Sequence, residues 1–410
     1  MRILCRIYLI QWVNSACAEE TDVEENSEIY LDNSATTKTS DEVNRCMLEV
    51  LENDYGNPSS LHRLGMKAEK VFESAKQDLA DCLSCSASEI YITSGGTESI
   101  NTAILGYLRA SKRRGKHIIC TGVEHPAAYE TVKYAQSELG YEADILSVGS
   151  DGCISLDELS EKLRGDTVLV CVMHVNNEVG TVMPVDKIKP VMKKKAPEAA
   201  LFVDAVQSFG KLAIKPSKWG IDMLAASSHK IHGPKGCGLL YIRNGLRVLP
   251  IMHGGHQQSN LRSGTENVYA ASGFALAAKT AYKNIDKNYE HVSKLREMLR
   301  GAIEKNVENT VYNGSENALP YILNMSFTGI KSEILLHTLE SKGIYVSTGS
   351  ACASNAPSPS RTLLCMGKDK KEIEGAVRFS FSPYNTAEQI ERAAQAVARE
   401  VCDIRKYVRG

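Results

Sequence analysis

The residue that most suggests chemistry is Lys230, in the segment Ser-Ser-His-Lys-Ile-His-Gly-Pro-Lys-Gly at 227–236. Small side chains, two histidines and glycines surround this lysine, and an apolar run follows at 238–242. A lysine that forms a Schiff base needs little bulk around it, and a nearby phosphate needs backbone that can approach closely. The pattern therefore predicts a lysine that binds pyridoxal 5′-phosphate (PLP), although an exposed lysine in a glycine-rich loop is the ordinary alternative.

A second motif lies upstream at 200–208, where a short apolar strand ends in Asp204 and Gln207 follows three residues later. PLP withdraws electrons only while its ring nitrogen stays protonated, and a carboxylate held against that nitrogen is the usual device. Asp204 is the candidate for this carboxylate, and Gln207 is a candidate donor to the phenolic oxygen of the ring. An aspartate after a strand can also serve as a helix N-cap. The order Asp, Gln, Lys favours the cofactor interpretation.

A third motif predicts a phosphate site. The sequence indicates a strand at 89–93, a tight turn at 94–98 and an apolar-periodic helix at 99–108. Such a turn leaves unpaired backbone N–H groups and the positive end of the helix dipole facing the phosphate. Gly96 and Thr97 are predicted to line this site, although a Gly-Gly pair on its own is typical of an ordinary helix cap.

Together these motifs resemble the cysteine desulfurases, a family of fold-type I PLP enzymes in the class-V aminotransferase group. The resemblance runs from about residue 29 to about residue 401 and continues through further motifs in family order. These are Leu-Asp-Asn-Ser-Ala-Thr-Thr at 31–37, Tyr-Gly-Asn-Pro-Ser-Ser at 55–60, Glu-His-Pro at 124–126, His-Val-Asn-Asn-Glu-Val-Gly at 174–180, Arg-Ser-Gly-Thr at 262–265, Ser-Ala-Cys-Ala-Ser at 350–354 and Arg-Phe-Ser-Phe-Ser at 378–382. The resemblance implies an α/β fold of PLP-dependent transferase type I. A large domain with a mixed, mostly parallel seven-stranded sheet would carry a smaller α+β C-terminal domain.

The resemblance also assigns roles to residues beyond Lys230. His125 would stack on the cofactor ring, and Asn177 would lie near the phenolic oxygen and the substrate carboxylate. Thr265 would reach the phosphate of the cofactor in a second subunit, which implies a homodimer. The remaining phosphate contacts would come from Thr97, Ser227 and His229.

Arg378 lies in an alternating stretch at 376–382 that can place it inside a cleft. A guanidinium matches a carboxylate in a two-point fork, so Arg378 is the predicted anchor of an amino-acid substrate. Arginine on a strand is usually exposed, and the interpretation as an anchor depends on the family resemblance.

Cys352 distinguishes the kind of PLP enzyme. It lies in a run of small and turn-forming residues at 349–360, which predicts a mobile, exposed loop. Most of the twelve cysteines are expected to be buried and inert, whereas a cysteine in such a loop is placed for reactivity. Cys82 and Cys85 have Cys-x-x-Cys spacing but no second pair, so no metal site is predicted.

The implied activity is conversion of L-cysteine to L-alanine, with the sulfur held as a persulfide on Cys352. The form of the Cys352 segment resembles the branch that supplies iron–sulfur cluster scaffolds, and another sulfur-carrier protein is an equivalent acceptor. Selenocysteine lyase activity is the nearest alternative. An aminotransferase would share Lys230 and Asp204 but would have no use for Cys352, and a catalytically silent scaffold protein would not need the site at all.

Composition agrees with a folded enzyme. The chain has 410 residues, 43% of them hydrophobic and 24% charged, which is enough for a large core and a smaller second domain. The predicted division is an extension at 1–27, a segment at 28–40 that packs on the small domain, a large PLP-binding domain at 41–285 and a small domain at 286–410. A net charge of −1 without a dominant basic patch argues against nucleic-acid binding.

The first 27 residues lie outside the resemblance. Residues 1–13 combine basic and apolar side chains, and Ala-Cys-Ala at 16–18 has the form of a signal cleavage site. Arg6 interrupts the apolar run, however, and a persulfide-forming thiol suits a reducing compartment. We therefore expect a disordered extension on a cytoplasmic protein rather than export, with organelle targeting as an intermediate alternative. No segment has the length of a membrane span.

Overall fold

A computed structural model describes residues 28–348 and 359–408 of the chain, so the predicted extension at 1–27 and Cys352 lie outside the described residues. The strands are β1 (Ile29–Tyr30), β2 (Ile90–Thr93), β3 (His117–Thr121), β4 (Glu142–Leu146), β5 (Thr167–Met173), β6 (Ala200–Asp204), β7 (Met223–Ser227), β8 (Gly238–Ile242), β9 (Thr310–Tyr312), β10 (Ile322–Phe327), β11 (Ile344–Tyr345), β12 (Ser347–Thr348) and β13 (Ala376–Ser380). The helices are α1 (Asp41–Asn53), α2 (Arg63–Leu83), α3 (Gly96–Ala110), α4 (Pro126–Leu139), α5 (Leu156–Lys162), α6 (Val185–Lys195), α7 (Pro216–Trp219), α8 (Val268–Lys283), α9 (Ile285–Asn306), α10 (Ser332–Glu340), α11 (Arg361–Cys365), α12 (Lys370–Glu374) and α13 (Ala387–Val408).

A seven-stranded sheet with the order β2-β8-β7-β6-β5-β3-β4 forms the larger part of the molecule. Strand β8 runs antiparallel to both of its neighbours, and the other neighbouring strands are parallel. Every residue of β5 is buried, which is expected of a parallel strand that has helices on both faces of its sheet. The predicted α/β fold with a mixed, mostly parallel sheet is confirmed.

Two local predictions differ from the structure. Helix α3 begins at Gly96 rather than at residue 99, because the backbone after Gly95 already follows the helical path; Gly95 itself has φ +153°, which favours glycine. The sequence at 344–347 also predicts a single strand. The structure has two strands there, since the chain changes sheets at Val346. Strand β11 pairs with β1, whereas β12 pairs with β13.

A second hydrophobic core belongs to the C-terminal part of the chain. The sheet of order β12-β13-β10-β9 is antiparallel, and its side chains pack with residues of α9, α10 and α13. Ile29 and Leu31 belong to this same core, because β1 pairs in parallel with β11. The exact limits of the two domains remain a prediction.

The two parts meet at the carboxyl ends of the parallel strands, where ligands bind in open α/β sheets. The Asn33 N–H donates to the carbonyl of Ser380 at 3.3 Å, and the Leu319 N–H donates to the carbonyl of Gly180 at 2.8 Å. These contacts bring β13 opposite the ends of β5 and β6 and form the cleft that holds the candidate site.

The edge strand β2 is paired by a side chain. The Ile92 N–H donates to Oε1 of Gln258 at 2.7 Å, and Nε2 of Gln258 donates to the Ile92 carbonyl at 2.8 Å. Gln258 therefore occupies the position that a neighbouring strand would take. Its loop adopts left-handed backbone angles at His256, Gln258, Ser259 and Asn260 to present the amide there.

The surface of the described chain shows two further features. The lysines at 193–195 are exposed in the last turn of α6. Among the helices of residues 28–348 and 359–408, none has the length and apolar content needed to cross a membrane.

Candidate active site

A cavity of about 240 Å³ lies in the cleft at the carboxyl ends of the strands. Among the described residues that the sequence predicts for the site, only Thr265 lies away from it; Thr265 is exposed, and its role in a second subunit stays a prediction. The predicted residues that line the cavity are Gly96, Thr97, His125, Asn177, Asp204, Gln207, Ser227, His229, Lys230 and Arg378.

One end of the cavity has the properties of a phosphate site. Helix α3 begins there without a side-chain cap, so its first N–H groups are available to an anion. A Cβ on Gly96 would lie 2.8 Å from Cγ2 of Val206, so the wall is shaped for glycine. Oγ of Ser227 is buried and has no hydrogen-bond partner within the described chain. A bound phosphate would satisfy that hydroxyl.

Asp204 is the last residue of β6 and lines the cavity. Its Oδ1 accepts a hydrogen bond from the Val206 N–H at 2.9 Å, so the carboxylate closes a turn after β6, where no helix begins, while the other oxygen remains for a ligand. Burial raises the pKa of Asp204 to about 6, although the backbone hydrogen bond and the charge of Lys230 act in the opposite direction. A cationic partner such as a protonated ring nitrogen would stabilise the carboxylate.

His125 forms the N-cap of α4, where its Nδ1 accepts a hydrogen bond from the Ala127 N–H at 3.1 Å. Burial, together with the charges of Lys230 and Arg361, lowers the pKa of His125 to about 4. The ring is therefore neutral near pH 7 and carries its proton on Nε2. A neutral, fixed ring of this kind is suited to stacking on a planar cofactor.

Lys230 follows β7 in a short 3₁₀ turn. Its Nζ donates to the carbonyls of Ser34 and Ala35 at 2.6 and 2.7 Å, so the segment after β1 orients the amine. Nε2 of Gln207 donates to the same Ser34 carbonyl at 2.9 Å. The contact predicted between Gln207 and the cofactor would then use the second amide hydrogen.

Arg378 is buried in β13, with 4% of its surface exposed. Nη2 donates to Oδ1 of Asp32 at 2.8 Å, and Nη1 donates to the carbonyl of Asn177 at 2.9 Å. Nε is buried and finds no partner in the described part of the chain, so the guanidinium retains an unused donor toward a ligand. The sequence prediction missed Asp32; its presence in the 31–37 motif was the available signal.

Both ends of the segment that contains Cys352 are fixed beside the cavity. Thr348 pairs with Val377, the neighbour of Arg378. At the other end, Oγ of Ser360 donates to Oε2 of Glu178 at 2.5 Å, and Oγ1 of Thr362 donates to Oε1 of Glu178 at 2.9 Å. Burial raises the pKa of Glu178. The sequence prediction quoted Glu178 only as part of the 174–180 motif and did not assign it this anchoring contact.

Glu124 is a second buried carboxyl that the sequence prediction left without a role. Its Oε1 accepts hydrogen bonds from Oγ1 of Thr121 and from the Met173 N–H, both at 2.7 Å. Oε2 is buried and has no partner among the residues described. Burial raises the pKa of Glu124 to about 8, with Asp204 adding to the effect, so this group is largely protonated near pH 7.

Comparison with known proteins identifies the family of the chain. The family model for class-V aminotransferases matches residues 29–393. The chain belongs to the class-V aminotransferase family. Within that family, "Cysteine desulfurase IscS" of Methanosarcina thermophila is 39% identical over 95% of this chain and 96% of its own length. The "Cysteine desulfurase" of a Nostoc species is 40% identical over 90% of this chain and 92% of its own length.

Solved structures of similar proteins share the fold. A "NifS-like protein" superposes with a TM-score of 0.86 at 37% identity and covers 91% of this chain and 98% of its own. SspA, solved in complex with cysteine, has a TM-score of 0.76 at 30% identity, with 87% of this chain and all of its own covered. The predicted resemblance to cysteine desulfurases is confirmed.

The cavity of this class-V aminotransferase fits PLP on the basis of its own atoms. The unpartnered Ser227 hydroxyl and the glycine-shaped wall at Gly96 match a phosphate. Asp204 offers a buried carboxylate oxygen to a ring nitrogen, and Lys230 offers a primary amine to an aldehyde. A phosphate, a ring and an aldehyde are the three parts of PLP that a protein must hold.

Proposed function

We propose that this chain is a PLP-dependent cysteine desulfurase, which converts L-cysteine to L-alanine and keeps the sulfur as a persulfide on Cys352. One observation carries the proposal: Lys230, Asp204 and Arg378 line a single cavity, and the segment with Cys352 is anchored on both sides next to it. The names of the relatives support the same reaction. The residues proposed to hold PLP are Gly96, Thr97, His125, Asn177, Asp204, Gln207, Ser227, His229 and Lys230, with Thr265 serving the cofactor of a second subunit.

Different residues of the chain carry out different parts of this reaction. Bound PLP would supply an electron sink for the substrate's α-carbon. Arg378 binds the substrate carboxylate through its unused donors, while Asp32 holds the guanidinium in place. Lys230, held by two backbone carbonyls, removes the α-proton, and Asn177, which lines the same cavity, would contact the ring and the carboxylate.

Cys352 carries the sulfur transfer. Its thiolate attacks the sulfur of the substrate, so a new S–S bond forms while the substrate's C–S bond breaks. The electron pair of the broken bond stays with the β-carbon of the substrate. Protonation of that carbon completes L-alanine. Cysteine and the enzyme thiol are thus converted to alanine and an enzyme persulfide, without an external oxidant. The persulfide then passes to an iron–sulfur scaffold or another sulfur-carrier protein, chemistry that suits the reducing cytoplasm.

A homodimer completes the proposal. Large apolar side chains are exposed in the short stretch between residues 48 and 66, including Leu61 at 96%, Tyr55 at 71% and Met66 at 60%. Concentrated exposed apolar surface of this kind marks a protein interface. Together with the exposed position of Thr265, it supports a second copy of the chain as the partner.

The proposal is tested by incubating the purified holoenzyme with L-cysteine and a thiol while sulfide and alanine are measured together. We expect equal amounts of both products from the wild type and neither product from Cys352→Ser, which should still bind PLP and change its absorbance when cysteine is added. Cys402→Ser, at an exposed cysteine of α13, is the matched control and should behave as the wild type. Desulfuration by Cys352→Ser at the wild-type rate, or transfer of the amino group to a keto acid in place of sulfide release, would refute the assignment.

A further inference from the structure

A second cavity, of about 400 Å³, lies on the other side of Lys230. It is bounded by α8 and α9 on one side and by the residues after β13 on the other. Lys230 is the one lining residue that it shares with the cavity proposed for PLP. The desulfurase reaction proposed above does not use this space.

Lys211 gives the second cavity a buried cation. The residue is 6% exposed, and Nζ lies 3.5 Å from Oε1 of Gln207 and 5.3 Å from the ring centroid of Tyr321. An ammonium group has three donors, and a single contact at 3.5 Å is at the limit of a hydrogen bond. The buried charge is therefore poorly compensated by the described residues around it.

The charges around Lys211 favour an anion. Among the described residues that line the cavity there is no Asp or Glu, while Lys287 is exposed and contributes a second cation. Burial, with repulsion from Lys230 and Arg378, lowers the pKa of Lys211 to about 7. A buried cation that repels its neighbours is stabilised by an anionic partner.

Two histidines also line the cavity; both ring nitrogens of His232 and Nε2 of His291 already have hydrogen-bond partners. Nδ1 of His232 contacts the Lys38 carbonyl at 2.9 Å, and Nε2 contacts Oγ of Ser382 at 3.1 Å. Nε2 of His291 contacts the carbonyl of Asn385 at 3.0 Å. His232 therefore has no ring nitrogen left for an anion, and the lysines are the ordinarily cationic side chains among the described lining residues.

The rest of the wall is suited to a carbon chain. Ile231, Ala277, Ala281 and Phe381 present apolar side chains to the space, and about 400 Å³ is within the usual range of small-molecule sites. The neighbouring cavity, by contrast, has the carboxylates of Glu28, Asp41 and Glu42 in its lining beside the cations Lys38 and Arg45. We propose that the cavity beside Lys211 binds a small organic carboxylate, whose anionic group pairs with Lys211 and whose carbon chain packs on these apolar residues.

Binding at this site has a short physical path to the active site. Oε1 of Gln207 contacts Nζ of Lys211, and Nε2 of Gln207 donates to the Ser34 carbonyl, which also accepts from Nζ of Lys230. A ligand that draws Lys211 toward itself removes a contact of Gln207. The hydrogen bonds that Gln207 and Lys230 both make to the Ser34 carbonyl then change as well. The carboxylate is therefore expected to alter cysteine turnover, and cysteine to alter the affinity for the carboxylate.

The test is calorimetric titration of succinate into the holoenzyme, with the neutral succinamide as the matched ligand. We expect one saturable site per chain for succinate and no saturable binding of succinamide. Lys211→Met keeps the length of the side chain without its charge and should weaken succinate binding about ten-fold or more. Lys287→Ala, at an exposed position, should weaken it less, and Arg378→Ala, which removes a repelling charge, should not weaken it.

The opposite pattern overturns the proposal. Loss of succinate binding in Arg378→Ala with retention in Lys211→Met would place the anion in the substrate cavity. Equal binding of succinamide, or no saturable heat with succinate, would equally refute a charge-dependent site. If Lys211→Met does not fold by circular dichroism, Lys287→Ala decides: a variant that binds as the wild type does would contradict the proposal. None of these outcomes depends on desulfurase activity.

Discussion

Arg378 and Asp32 show how a buried charge can keep a donor available to the proposed substrate. The carboxylate of Asp32 holds one nitrogen of the guanidinium at 2.8 Å, yet Nε has no partner in the described chain. A buried cation without any partner would be costly, whereas a fully satisfied one would have little to offer a substrate. The observed arrangement lies between the two.

Replacing Arg378 by Ala should therefore weaken cysteine binding. Loss of a charge-assisted hydrogen bond costs about 1.5–3 kcal/mol, or roughly ten- to a hundred-fold in the KM for cysteine. PLP content should stay near the wild-type value. Arg109→Ala, at an exposed arginine of α3, is the control. Unchanged steady-state kinetics in Arg378→Ala would place the substrate carboxylate elsewhere.

Lys230→Ala should lose the covalent link to PLP while still holding the cofactor through Asp204 and His125. The measurement is mass spectrometry after borohydride reduction, which fixes the pyridoxyl group on the lysine that carried it. Lys235→Ala, five residues further in an exposed position, should retain the label on Lys230. A label on any other lysine of the wild-type protein would contradict the assignment.

Glu124 predicts a specific pH dependence of stability. Its pKa is about 8 in the folded protein and lower in the unfolded chain, so between about pH 5 and pH 8 the folded state binds more protons. The free energy of unfolding should therefore fall as pH rises through this range, because the buried group must ionise. Asp204, whose pKa is also raised, adds a smaller fall in the same direction.

In Glu124→Gln, the fall in the free energy of unfolding between pH 5 and pH 8 should be smaller by a few kcal/mol. The reason is that Gln keeps the acceptor for Thr121 and Met173 and does not titrate. Denaturant unfolding at pH 5 and pH 8 gives the comparison. Glu333→Gln, at an exposed position of α10, serves as the control. Equal pH dependence in Glu124→Gln and the wild type would mean that Glu124 is ionised in the folded protein.

At the scale of elements, the start of α3 shows why a glycine is needed at one point. Gly96 lies where the first turn of the helix faces the proposed phosphate, and Val206 packs directly against it. Gly301, in the interior of α9, has open space around it instead. The two positions separate crowding from helix propensity.

Gly96→Ala should weaken PLP binding, because its Cβ would lie 2.8 Å from Val206 and shift the phosphate turn. Overpacking of this kind costs about 1–3 kcal/mol. Gly301→Ala should stabilise the protein by up to about 1 kcal/mol through helix propensity and leave PLP affinity unchanged. Absorbance titration of the apoenzyme with PLP measures the affinity, and equal affinities in the two variants would contradict the proposed phosphate site.

The elements that the sequence predicts well are those whose burial is continuous. Strands β5 and β6 are uninterrupted apolar runs, and their ends place Asp204 directly. The division of 344–347 into two strands depends on pairing with β1 and β13, which no local pattern contains. Asp32 and Glu178 escaped assignment for the same reason, since their partners lie 346 and 182 residues away in the chain.

For the whole molecule, the exposed apolar stretch at 48–66 is the feature that a single chain does not explain. Leu61 is almost fully exposed, so a charge there does not disturb the interior of one subunit. Leu61→Asp should shift the protein from dimer to monomer in light scattering coupled to gel filtration. Tyr407→Asp, at a side chain of α13 that is 87% exposed, should remain dimeric. A wild-type monomer would refute the proposed dimer.

The pairing of Gln258 with Ile92 bears on how the protein stays dispersed at high concentration. An open strand edge is a template on which another chain can add a strand and begin to aggregate. At β2 the amide of Gln258 already uses the N–H and the carbonyl that such a strand would need. At the opposite edge, β4 carries the charged side chains of Glu142, which pairs with Arg164, and Asp144, and charged residues on an edge strand disfavour the addition of another strand. The sheet that builds the catalytic cleft is thus closed to polymerisation at one edge by a side-chain amide and at the other by charge.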